Sequence, residues 1–248
     1  MLILHGSETV PADWHVKESS PPAYCRVYYV RSGHVLYKDR HTMKKLLPDH
    51  LYVFPSTCPY EMEQDPSRPL NCFFMHIDIA PHLLSELLEL PVRKGSFLDS
   101  LLRTMSLWSS EYSSQNIDTV INTLSDSLIA YLCKEKLLQT LPEKLAVTIN
   151  YISEHVKEKI SLDTLSSLCG YHTQYYIRLF CSHMGITPHQ YLISYRMKLS
   201  LYALRTGKSV TETAESVGYP EVRNFIRAFK NYYGHSPSQI KKYLELKI

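Results

Sequence analysis

Two short stretches carry side chains suited to reading a ligand by paired hydrogen bonds. Thr173, Gln174, Ile177 and Arg178 form the first, and Val222, Arg223, Asn224, Arg227 and Lys230 the second. Gln and Arg can each make two hydrogen bonds at once to the edges of adenine and guanine in a major groove, and Lys suits phosphate. At 100° per residue, Tyr176, Leu179 and Phe180 share one side of the first stretch, as Phe225, Ala228 and Phe229 do of the second. Those apolar sides anchor a helix and leave the polar side free. Solvated helix faces also carry Arg and Lys, so one such helix decides little. Two built alike point to double-stranded DNA.

Catalysis has no comparable support. His5, His15, His34, His41, His50 and His76 are scattered without an H-x-H pair, and no P-loop, GxGxxG or nucleophile elbow occurs. No catalytic residue, metal ligand or cofactor is therefore expected. Cys25, Cys58, Cys72, Cys133, Cys169 and Cys181 form no C-x-x-C pair and sit in apolar runs, as buried thiols of a reducing compartment do. The start, MLILHGSETV, has no basic n-region or cleavage pattern, and no apolar run approaches eighteen residues. The reading is a cytoplasmic protein without a membrane partner.

The elements that must position the two stretches follow from an internal repeat. Ser161 to Tyr171 aligns with Ser209 to Tyr219 at an offset of 48, with serine, glycine and tyrosine coinciding. One inserted residue then sets Tyr176-Ile177-Arg178-Leu179-Phe180 on Phe225-Ile226-Arg227-Ala228-Phe229, and Gly185-x-x-Pro188-x-Gln190 on Gly234-x-x-Pro237-x-Gln239. Each copy opens on a serine N-cap, reinforced by Glu212 in the second, and its short helix stops at Gly170 or Gly218. A second helix follows, over 173–183 and 222–232. Two short helices around a glycine-containing turn make a helix-turn-helix. Between the copies, residues 188–205 read as one helix of about 27 Å, a rigid spacer able to hold two reading helices about one DNA turn apart.

Charge divides the chain in the same way. Residues 1–139 hold 13 Lys and Arg against 16 Asp and Glu, whereas 140–248 hold 14 against 8. Only the second part suits a polyanion. An acidic protein partner for the basic half is a further class, which would show neither a salt slope nor a preference among DNA sequences. Leu141-Pro142 marks the boundary, because the residue before proline resists helix.

Residues 143–245 resemble the DNA-binding domain of the AraC/XylS family. The resemblance rests on Val210 to Gly218-Tyr219, on Phe225-Ile226-Arg227-Ala228-Phe229-Lys230 and on Gly234-His235-Ser236-Pro237. It implies seven helices with two helix-turn-helix units. His172 stands where the family commonly has serine and is a poorer N-cap, while Ile177 and Val222 stand where members often place polar base-readers. Those two would read thymine methyls or nothing.

Segments 24–30, 34–38, 51–55 and 72–79 read as strands separated by Pro and Gly breakers, and together as a small antiparallel barrel or sandwich. The fold class is thus α+β. Tyr28-Tyr29-Val30-Arg31-Ser32-Gly33, Leu51-Tyr52-Val53-Phe54-Pro55 and Phe74-Met75-His76-Ile77-Asp78 resemble the cupin barrel that often precedes this DNA-binding domain. That implies a small effector, with a sugar-like metabolite as first choice, and contacts from Trp14, His15, Arg26, Tyr28 and His76. It also implies a homodimer and leaves room for a contact with RNA polymerase. A cupin-type metal enzyme and an effector-independent regulator are the alternatives. Helices are expected over 96–112 and 117–138, the second with Ile117, Val120, Ile121, Leu124, Leu128, Tyr131 and Leu132 on one face for dimerisation or for packing on the barrel. The organisation expected is 1–92 effector domain, 93–140 helical segment and 141–248 DNA-binding domain.

Overall fold

The computed structural model describes residues 2–19, 21–22, 24–112 and 119–245. The chain divides into two compact units, Met1–Thr140 and Leu141–Ile248.

The first unit begins with ten strands: β1 (Leu2–Thr9), β2 (His15–Glu18), β3 (Cys25–Ser32), β4 (Val35–Lys38), β5 (Met43–Lys45), β6 (His50–Val53), β7 (Tyr60–Gln64), β8 (Asn71–Ile77), β9 (His82–Leu83) and β10 (Leu88–Pro91). Helices α1 (Phe97–Glu111) and α2 (Thr119–Lys134) follow, then β11 (Gln139–Thr140). Five strands form one antiparallel sheet in the order β1-β8-β3-β6-β10, and four form another in the order β2-β7-β4-β5. Side chains alternate across a strand, so the central strands serve two cores. Cys25, Val27, Leu51, Val53, Phe73 and Met75 face α1 and α2. Tyr28, Tyr52 and Phe54 face the second sheet, where Tyr37, Tyr60 and Met62 meet them. The sheets share this aromatic core as an open barrel.

The stripe of α2 is consumed inside this unit. Ile121, Leu128 and Leu132 are fully buried against the five-stranded sheet and α1, with Leu124 and Tyr131 half-buried beside them. Val120 is exposed, and Ile117 lies outside the described residues. Residues 93–140 thus share a core with the strands. His5 on β1 is hydrogen-bonded through Nδ1 to Ser109 Oγ of α1 at 2.8 Å, a buried polar tie between the layers.

The second unit is helical: α3 (Glu143–Glu154), α4 (Leu162–Leu168), α5 (Thr173–Met184), α6 (Pro188–Arg205), α7 (Val210–Ser216), α8 (Val222–Tyr233) and α9 (Pro237–Glu245). The three helices expected over 173–183, 188–205 and 222–232 are α5, α6 and α8. No helix among the described residues is long and apolar enough to cross a membrane.

Candidate nucleic-acid interface

Local signals fix both helix-turn-helix units. The Ser161 hydroxyl accepts a hydrogen bond from the Thr164 N–H at 3.0 Å and starts α4. Ser209 does the same for α7 with Glu212, whose carboxylate accepts the Ser209 N–H at 2.8 Å in return. Both short helices end alike. Tyr171 N–H donates to Ser166 C=O at 3.0 Å and Tyr219 N–H to Ala214 C=O at 2.9 Å, with Gly170 and Gly218 left-handed between. The repeat extends past the reading helices. Thr187 and Gln190 form a capping box that opens α6 on Pro188. Ser236 and Gln239 exchange the same two hydrogen bonds before α9.

The reading helices are anchored by rings. Tyr176 and Phe180 of α5 are fully buried, and Phe180 meets Tyr191 of α6 edge-on at 5.7 Å. Phe225 and Phe229 of α8 are likewise buried, packed with Met197 and Leu204 of α6. One long helix therefore supports both units. Arg196 at its middle donates from Nε to Val156 C=O at 3.0 Å and from Nη2 to Glu158 C=O at 2.8 Å, while its guanidinium stacks 5.5 Å from the Tyr219 ring. Burial lowers its pKa and Tyr219 partly restores it. A single arginine thus clips the turn of the second unit to the loop after α3.

Opposite the anchors lie free polar faces. On α5, Gln174, Tyr175 and Arg178 are exposed. On α8, Arg223, Asn224, Arg227 and Lys230 are exposed, with Ile226 among them. Arg227 makes one long contact, 3.3 Å to Asn224 Oδ1, and none of the exposed cations of α8 forms an ion pair among the described residues. These side chains are exposed and carry donors suited to base edges and phosphates.

Three residues of the predicted set are placed differently. Val222 is half-buried against the aromatic core of the second unit, because its position is one turn before Phe225 and Ile226. Thr173 spends its hydroxyl on Asp163 Oδ1 at 2.8 Å, binding α5 to α4. Ile177 is only half-exposed. His172 caps α5 without a side-chain hydrogen bond, as its ring predicts. Tyr175 was missed. The repeat already marks it, since the offset of 49 sets it opposite Asn224.

In the first unit the five suggested effector residues separate. His15 is exposed at the start of β2, with its ring Nδ1 3.3 Å from the Asp13 carbonyl, so the ring faces no interior. Tyr28 is buried between Phe54 at 5.0 Å and Phe74 at 6.3 Å, and Trp14 packs against it at 6.2 Å; both are wall material of the aromatic core. Arg26 and His76 are cross-strand partners. The Arg26 guanidinium is buried, donating to Tyr60 Oη at 2.7 Å and pairing with Glu18 at 2.6 Å. Burial by itself would lower its pKa, but Tyr60, Tyr24, Tyr28 and Glu18 more than offset that and keep it charged. His76 stacks on Tyr24 at 5.3 Å. Glu18, Tyr24 and Tyr60 were not legible as its partners, because they come from separate strands and turns.

Residues 165–243 match the family model described as a helix-turn-helix domain. LumQ of Photobacterium leiognathi, named a probable transcriptional regulator, is 31% identical over 147 residues, 56% of this chain and 59% of that protein. YisR of Bacillus subtilis, named an uncharacterized HTH-type transcriptional regulator, is 31% identical over 143 residues, 56% of this chain and 50% of that one. The chain thus spans between half and three-fifths of the length of these two curated relatives. Over nearly the whole chain the fold is like that of ToxT from Vibrio cholerae, solved with an unsaturated fatty acid bound, with a TM-score of 0.64 at 12% identity, covering 98% of this chain and 94% of that one.

Proposed function

We propose that this chain, whose C-terminal region is an AraC-type helix-turn-helix domain, is a sequence-specific transcription regulator and not an enzyme, acting on DNA in the cytoplasm. The observation that carries the reading is the pair of equivalent exposed faces, Gln174 and Arg178 on α5 and Arg223 and Arg227 on α8, each backed by buried rings of the same helix. Helices of this build enter major grooves, where arginine pairs with guanine and glutamine with adenine. The eighteen residues of α6, about 27 Å long, suit two reading heads set on one face of the duplex.

A small effector held by the first unit modulates the contact. Support comes from the two-sheet fold and from the ligand named for ToxT. Homodimerisation belongs to the same proposal. Because Ile121, Leu128 and Leu132 are committed to the unit's own core, a second copy would meet other surfaces of α1 and α2, where Leu107 and Val120 are exposed. RNA polymerase is the partner by which a bound regulator of this kind would act.

Selection of bound sites from random duplexes tests the reading. A defined motif is expected, with affinity falling by several log units per log unit of salt. Sizing the selected complex by light scattering should give two chains. Recovery of unrelated sequences with a shallow salt slope rejects the function, and one chain per site rejects the dimer.

A further inference from the structure

One end of the first unit holds a cavity of about 700 Å³ that the aromatic core does not fill. Two cationic side chains, Lys45 and Arg68, line it beside the His34 imidazole, and no carboxylate is in its lining, although residues 1–139 carry more acids than bases. Beside it Asp65 has Oδ2 4.0 Å from His34 Nδ1 and Oδ1 occupied by the Ser67 N–H and hydroxyl. Arg68 Nη1 lies 3.2 Å from His34 Nε2, and the remaining guanidinium donors are left for a ligand.

The walls are built before any ligand arrives. The turn at Gly33 presses on the loop before β8 so closely that a Cβ there would stand 2.5 Å from Pro69 C=O, at a φ of +108°. His34 N–H donates to Arg68 C=O at 3.0 Å and Asp65 N–H to His34 C=O at 2.9 Å, so the cationic loops are tied to each other. On the other side Arg31 holds Asn71 through Nε at 2.5 Å, and Asn71 Nδ2 donates to Thr9 Oγ1 at 2.7 Å. Thr9 therefore keeps its own O–H to donate, and Ser32 adds a second hydroxyl at the rim.

We infer that this cavity binds a small polyhydroxylated anion, its charged group between Arg68, Lys45 and His34 and its hydroxyls on Thr9, Ser32 and Asn71. The inference rests on the reading of the first unit as an effector domain and moves the effector from the aromatic interior to this end. A preorganised lysine and arginine beside an imidazole suit phosphate and carboxylate alike, so a phosphorylated sugar and a sugar acid are the two sources.

Calorimetry on the full chain with glucose 6-phosphate, glucuronate and glucose separates them, because the three share one body and differ in charge. One of the two anions should bind saturably and glucose should not. Arg68→Ala and Lys45→Ala, both at exposed side chains, should each weaken binding about tenfold without moving the melting temperature of the free protein, while Lys38→Ala outside the cavity changes nothing. The inference is overturned if neither anion binds at millimolar concentration, if glucose binds as well as they do, or if the Arg68/Lys45 double variant binds them unchanged. Operator affinity measured with the anion bound is a separate readout: binding without any change at the operator leaves the site intact and removes the effector role. Loss of sequence preference without ligand strikes only the DNA reading.

Discussion

The two helix-turn-helix units share one plan and carry different surfaces. Around α8 the exposed side is cationic, with Arg223, Arg227 and Lys230; around α5 a single exposed arginine, Arg178, stands among Gln174 and Tyr175. Tyr175 meets Tyr171 edge-on at 4.9 Å, and Lys144 covers the Tyr171 ring at 4.8 Å, so the first unit presents an aromatic cluster where the second presents charge. Ring anchors and left-handed turn glycines recur in both copies. Free faces do not, and divergence there costs no stability. On the proposed reading, the second unit would supply most of the phosphate attraction, and the first would add shape and apolar contacts.

The turns offer the sharpest way to break the likeness. Gly170 and Gly218 are both left-handed, at φ +67° and +80°. A Cβ on Gly170 meets nothing within 4 Å, whereas on Gly218 it would stand 2.7 Å from Lys157 C=O and 2.9 Å from Arg196 Nη2. Gly218→Ala should therefore cost about 2–4 kcal/mol, the left-handed penalty plus a backbone collision. Gly170→Ala should cost only about 1–2 kcal/mol. Chemical denaturation of the full chain measures both, and equal losses would show that the second turn is not clamped by Arg196 and the loop after α3.

The reading heads come next. Arg223→Ala or Arg227→Ala should cost about 1–3 kcal/mol on the best operator and relax preference at one or two base pairs. Lys230→Ala should weaken all sequences alike and lower the salt slope by about one unit. Arg178→Ala, standing alone, should shift preference at its own base pair. Tyr175→Ala should weaken binding with an unchanged salt slope, since it carries no charge. Base-preference profiles identical to wild type in every variant would dissolve the division of labour.

Smallest is the effect of the caps. Ser209→Ala and Ser161→Ala, each of which loses the hydroxyl that accepts the N–H three residues on, should destabilise by about 1 kcal/mol. The Ser209 hydroxyl and N–H hold the Glu212 carboxyl below the usual carboxylate range. A lowered folded pKa means that the contribution is present above the ordinary carboxylate value and is lost as pH falls through the lowered one. Glu212→Gln should flatten that acid limb of the melting curve, while no matching change follows at Thr164. An acid limb indistinguishable from wild type would mean that the box adds nothing.

How far these features were legible depended on how local they are. Helix starts, turn glycines and the α6 span from Pro188 to Arg205 were readable because each is set by residues within a few positions: a cap, a proline at the first turn, a glycine at the stop. The free faces were readable because helical periodicity sorts them from the anchors. The packing of Val222 on the core and the bond from Thr173 to Asp163 were not legible, since a side chain at the first turn of a helix is near both the free side and its own core, and only packing decides between them.

The first unit depended more on tertiary structure. β3, β6 and β8 could be recognised from β-branched and aromatic runs, but β1 hides behind His5, Gly6 and Ser7. It is a strand because it pairs with β8, and Gly6 is tolerated there because the Phe74 ring lies only 2.6 Å from where a Cβ would stand. Likewise the stripe on α2 was plain in the sequence, while its partner was not: periodicity defines an apolar face and says nothing of what covers it. The sequence alone determined that the basic, helical second half carries two repeated helix-turn-helix units. Only the tertiary structure decided that α2 closes the core of its own unit, that Arg26 is paired with Glu18 inside an aromatic wall, and that Arg196 fastens the second turn. Each of those contacts joins residues far apart in the chain, where no short-range pattern can specify the partner.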